Sequence, residues 1–172
     1  GYMNEPGELL DLGDISDEKI NTSWRSKAIA TTNGFLRAAE SFIQNSRGQL
    51  WIPRRQMHKR IAPGGLDYSM GEHVMAGESY MQGCKRGFAE ELNLSVKESD
   101  LLFIKKFAPI ENLDYFRSLY IYKSDKTPKY NEEDFSGFEW LTPKELLKRL
   151  ESGEPSKRSL HETVKYLIDH KI

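Results

Sequence analysis

Two stretches decide how this chain is read: Gly71-Glu-His-Val-Met-Ala-Gly-Glu78 and, seven residues later, Arg86-Gly-Phe-Ala-Glu-Glu-Leu-Asn-Leu94. Ser79 after Glu78 can cap a helix running to Leu92, although Gly83 and Gly87 each weaken such a helix by about 1 kcal/mol relative to alanine. On that helix positions 86, 90 and 91 lie within about one turn of each other, so Glu90 and Glu91 concentrate acid on one patch that Arg86 can orient. Clustered carboxylates of this kind suit a hard divalent cation such as Mg²⁺ or Mn²⁺. Such a cation can stabilise developing negative charge and supply hydroxide near neutral pH.

The spacing resembles the Nudix box: glycine, five residues, glutamate, seven residues, then Arg-Glu-apolar-any-Glu-Glu-any-Gly-apolar. Glu78, Arg86, Phe88, Glu90, Glu91 and Leu94 fall in register with it. The resemblance extends more loosely from about Ala38 to Leu147. It implies an α/β Nudix fold, a mixed β-sheet sandwiched between α-helices. It implies a metal-dependent pyrophosphohydrolase acting on a diphosphate-containing small molecule. The implied metal ligands are Glu78, Glu90, Glu91 and the backbone of Gly71; Arg86, Glu90, Glu91 and Glu72 are the candidate catalytic residues.

Three positions depart from the pattern: Glu72 replaces the opening glycine, Gly87 a glutamate, and Asn93 the closing glycine. Asparagine tolerates the left-handed conformation at a helix end. Gly87 removes a side chain that in many family members binds metal or acts as base. Either catalysis has degenerated, leaving a module that binds a diphosphate ligand or a protein, or Glu72 supplies the missing carboxylate and Gly87 leaves room for it.

The stretches from Leu36-Arg37-Ala38 through Arg54 and from Ala62-Pro63-Gly64-Gly65 to His73 look like the isopentenyl diphosphate isomerase branch. That enzyme needs a cysteine where this chain has Met70, and a thioether cannot transfer a proton, so isomerisation is not expected. His73 is read as a hydrogen-bonding histidine and Cys84 as a packed core thiol.

Outside the box, Arg54-Arg55-Gln-Met-His-Lys-Arg60 is strongly basic. Arg54 or Arg55 is the candidate diphosphate clamp, since a guanidinium fork matches phosphate oxygens. Glu111, Asp114, Glu132, Glu133 and Asp134 are further acids, each read first as an ordinary loop residue. Tyr68, Tyr115, Phe116 and Trp140 include a candidate stacking platform, with core packing the default for Trp140.

The 172 residues carry a net charge of −1 and suit one domain: an extension over 1–34, a core over 35–153 and a C-terminal helix over 154–172. Nothing in that balance steers the chain to a nucleic acid duplex or an anionic membrane. No apolar run approaches the roughly 20 residues that cross a bilayer. The first residues lack the basic and apolar regions of a secretory signal. With a single cysteine, the expected location is cytoplasmic. A homodimer is the assembly the resemblance suggests.

Periodicity and turn residues predict strands over Phe35–Ile43, Leu50–Ile52, Leu101–Phe107, Phe116–Tyr122 and Phe138–Leu141, and a short helix near Asp17–Ile20. Thr142-Pro143-Lys144-Glu145 starts one helix, ending near Gly153, and Pro155-Ser156 is read as the start of the last.

Overall fold

A computed structural model describes residues 9–13, 16–24, 35–110 and 115–172. In order, the elements are β1 (Leu9–Gly13), β2 (Lys19–Trp24), β3 (Leu36–Gln44), β4 (Leu50–Arg55), β5 (Met70–His73), α1 (Tyr80–Leu92), β6 (Leu101–Phe107), β7 (Tyr115–Lys123), β8 (Phe135–Leu141), α2 (Pro143–Glu151) and α3 (Leu160–Asp169).

Six strands form a mixed sheet in the order β6-β7-β3-β4-β8, with β5 also on β3. β3 runs parallel to β7 and antiparallel to β4 and β5. Alternation along β3 and β4 sends neighbouring side chains to opposite faces. Phe42, Leu50 and Ile52 meet Leu146 of α2 and Leu160, Val164 and Leu167 of α3. Ile43, Trp51 and Met70 meet Cys84, Phe88 and Leu92 of α1. The sheet is therefore held between α1 on one face and α2 with α3 on the other, as the resemblance implied.

β4 and β5 share one edge of β3, pairing with it at Gln44 and over Ala38–Ser41 respectively. The sheet divides there. Ser69 bridges the division: its Oγ accepts from the Ile43 amide at 2.8 Å and donates to the Trp51 carbonyl at 2.6 Å. The functional cavity opens beside this division.

The N-terminal expectation is overturned. Asp17 has φ 63°, in the left-handed region, and Lys19–Trp24 is a strand paired with β1. The Asp17 carboxylate receives Arg37 Nε at 3.1 Å, Tyr80 Oη at 2.7 Å and Lys106 Nζ at 2.7 Å. These partners lie far away in sequence and cannot be read from the local pattern. The last helix also starts later than expected, at Leu160, because residues 155–157 run along Leu66 as a parallel bridge. Among the described residues no helix is long and apolar enough to cross a membrane.

Candidate active site

Helix α1 begins as its sequence dictates. The Ser79 Oγ accepts from the Gln82 amide and the Gln82 side chain accepts from the Ser79 amide, a reciprocal cap. Asn93 ends it in the left-handed conformation, φ 54°. Two helical glycines serve close approach. A Cβ on Gly83 would meet Val74 Cγ2 at 3.2 Å, and one on Gly87 would run into the Met70 sulfur and meet Glu72 Cβ at 3.1 Å. The short strand β5 thus lies almost on the backbone of α1.

Arg86 ties these elements together. It donates to both Glu78 oxygens at 2.8 and 3.0 Å and to the His73 carbonyl at 2.7 Å. Its Nη1 lies 3.2 Å from Glu90 and 3.5 Å from Glu72. Glu78 also accepts the Met75 amide at 2.8 Å. Partial enclosure works against ionisation of Glu78, but Arg86 and that amide hold its carboxyl below the ordinary carboxylate range. Both Glu78 oxygens accept hydrogen bonds, and through them Glu78 fixes the loop to the helix.

Glu72 and Glu91 meet. Burial first, then repulsion from Glu72 and Asp67, push the Glu91 carboxyl well above its usual range. It shares a hydrogen bond with Glu72 and accepts one from the Gly71 amide. Two acids sharing a proton is the arrangement that a divalent cation relieves. Among the described residues no three His, Cys, Asp or Glu side chains stand together closely enough to hold a metal ion. Glu72, Glu90, Glu91 and the Gly71 backbone nevertheless form an all-oxygen donor set, which fits a hard divalent cation.

Gly71, Glu72 and Glu90 line a cavity of about 640 Å³ together with Arg55, Asp67, Tyr115, Arg117, Lys157 and Arg158. Arg55 is in this site, held by Asp67 at 2.9 Å and the Ile61 carbonyl at 2.7 Å. Arg54 is not. A bulge separates the two arginines, and Arg54 turns to the Gly64 carbonyl at 2.9 Å and to Glu154 at 3.6 Å. A second hollow of about 530 Å³, at the Gln44–Gly48 turn, lies away from the box residues.

The remaining candidates fall as follows. His73 stacks on Tyr115, centroids 5.5 Å apart. Cys84 is fully buried, and enclosure followed by Glu91 pushes its thiol up to about 12. Trp140 packs against the core beneath α1. Tyr68 is buried and Phe116 lies edge-on to Phe35. Asp134 pairs with Lys59, and neither it nor Glu132 or Glu133 lines the cavity. Glu111 and Asp114 lie outside the described residues. Sequence reasoning missed Glu40, Arg117, Lys157 and Arg158, which reach the cavity from three separate elements; the only local signal was the adjacent basic pair 157–158.

The chain matches the NUDIX domain family over residues 34–163. It is 38% identical over 159 residues to a protein named Nudix hydrolase from Deinococcus radiodurans, covering 92% of each. A crystal structure of a Deinococcus radiodurans protein superimposes with a TM-score of 0.80 at 38% identity, over 92% of this chain and 98% of that one. A more distant likeness, 30% over 88 residues, reaches an isopentenyl-diphosphate Delta-isomerase of Corynebacterium diphtheriae, over 51% of this chain and 48% of the isomerase.

Proposed function

The chain belongs to the Nudix family, and on that premise we propose that it is a metal-dependent hydrolase cleaving the diphosphate linkage of a nucleoside diphosphate derivative or similar small molecule. One observation carries the reading. Gly87 has no side chain where Glu72 packs on the helix, and Glu72 thereby meets Glu91 at the mouth of a cavity lined by Arg55. The carboxylate lost from the helix is supplied from β5.

In this proposal Glu72, Glu90, Glu91 and the Gly71 backbone hold Mg²⁺ or Mn²⁺. Such a cation offsets diphosphate charge and lowers the pKa of bound water. Arg86 orients Glu72 and Glu90 from one guanidinium. Arg55 offers phosphate oxygens a forked donor, steadied by Asp67. A carboxylate oxygen of Glu72, Glu90 or Glu91 that the cation leaves free would take up the proton of the attacking water. Met70 is fully buried against Gly87, so no thiol stands where isomerase chemistry requires one. The proposed setting is cytoplasmic, where the lone buried Cys84 stays reduced.

The test is incubation with Mg²⁺ or Mn²⁺ and a panel of nucleoside diphosphate derivatives, following phosphate products. Turnover lost in Glu90→Gln and Glu91→Gln supports hydrolysis. No turnover, with thermal stabilisation by a ligand, identifies a binding module instead.

A further inference from the structure

We propose that residues 155–159 are a strap that builds a second anion subsite into the same cavity, for a phosphate-type oxyanion held apart from the diphosphate. This rests on the reading of the cavity as a diphosphate site.

The strap is placed by backbone contacts. The Leu66 amide donates to the Pro155 carbonyl and the Lys157 amide to the Leu66 carbonyl, each at 2.9 Å. A Cβ on Gly65 would meet Ser156 N at 3.0 Å and Pro155 C at 3.1 Å, so glycine there permits the approach. Arg149 holds Glu154 at 2.8 Å at the entry to the strap. Ser159 bonds the Tyr68 hydroxyl at 2.9 Å at its exit. Lys157 and Arg158 are thereby set on the cavity lining, at the start of the ten-residue helix α3.

Lys157 differs from the other cations of the lining. Arg55 is matched by Asp67 at 2.9 Å and Arg117 by Glu40 at 2.8 Å. Arg86 is matched by Glu72, Glu78 and Glu90. Lys157 makes no ion pair within 4 Å among the described residues, although its charge acts on Glu40 across the cavity. Two further observations point to a ligand on this side. Arg117 lines the cavity at 2% exposure, and its Nε and Nη2 make no hydrogen bond, Nη2 having only a 3.4 Å ion pair with Glu162. The N-terminus of α3 lacks a side-chain cap, and Glu162 in its first turn is the one acid there to meet its dipole. Glu162, 3.4 Å from Arg117 Nη2, is the acid such an oxyanion would displace. The oxyanion is either a second phosphate on the substrate or free phosphate.

The full chain is titrated with inorganic phosphate in EDTA, where the metal-free box acids repel anions and binding reports the strap. Amide shifts should centre on residues 157–162. Lys157→Ala should weaken binding about tenfold, the worth of one charge-assisted contact, and the Lys157→Ala/Arg158→Ala double variant further. No binding, shifts confined to the box, or undiminished binding by the double variant overturns the proposal.

Hydrolysis of NADH and NADPH, which share a diphosphate and differ by one phosphate, separates the sources. If the subsite takes substrate phosphate, the double variant raises KM for NADPH alone. If it takes free phosphate, both KM values hold while the sensitivity of the rate to added phosphate disappears. Phosphate binding without any diphosphate hydrolysis supports the strap and sinks the hydrolase reading, so the two fail separately.

Discussion

Glu72 packs against the bare backbone of Gly87 beside Met70: a Cβ on Gly87 would run into the Met70 sulfur and sit 3.1 Å from the Glu72 Cβ. The two departures from the family pattern are therefore one spatial exchange. Gly87→Glu, which restores the family residue, must push β5 off the helix. The expected outcome is destabilisation of about 1–3 kcal/mol by overpacking and lower, not higher, turnover. Thermal melting and steady-state rates check this; a faster enzyme would show that the site has simply degenerated.

Burial and the neighbouring acids keep a proton on Glu91 in the folded state at pH values where the unfolded chain has released it. The folded state then binds more protons, so metal-free stability falls as pH rises above the ordinary glutamate range and through the raised value. Melting curves in EDTA at about pH 5 and about pH 8 should show this fall. Glu91→Gln should flatten it, and Mg²⁺ should stabilise the wild type more at the higher pH, because binding must displace the proton. Parallel curves for the two proteins would remove Glu91 as the source.

Arg117 is 2% exposed and donates to Glu40, Tyr68 and Thr163. Burial pushes the Glu40 carboxyl up while Arg117 pulls it back. Arg117→Ala would strand that carboxylate, at a cost of about 3–5 kcal/mol in denaturant unfolding. Arg117→Ala with Glu40→Leu should recover part of the loss. A single variant as stable as wild type would contradict the pairing.

Cys84 is buried, with its thiol pushed up to about 12. A thiol reagent at neutral pH should label it only at the rate of unfolding. Rapid labelling of the native protein would show that α1 opens locally.

Much of this was legible because α1 carries its own punctuation: the Ser79 cap, the Arg86 and Glu90 spacing, and Asn93 at the end. The sandwich was expected from the resemblance, and alternation along β3 and β4 is its physical basis. What escaped is tertiary in origin. β5 is only four residues long and contains Gly71, too little for a period to show. Asp17 is fixed by Arg37, Tyr80 and Lys106, and Pro155-Ser156 is held by Leu66 rather than by helix propensity. Arg54 and Arg55 could not be told apart because the bulge between them decides their directions. Glu78 matched the pattern, but its commitment to Arg86 and Met75 needed the folded loop.

The most direct measurement is kcat for Glu72→Gln, with Mg²⁺, on whichever diphosphate the wild type turns over. Losing a carboxylate from the metal and water should lower kcat by about 10²-fold or more, with Tm close to the wild-type value. A kcat within about twofold of wild type, well below the 10²-fold loss that such groups carry, would show that Glu72 does not replace the glutamate missing at Gly87.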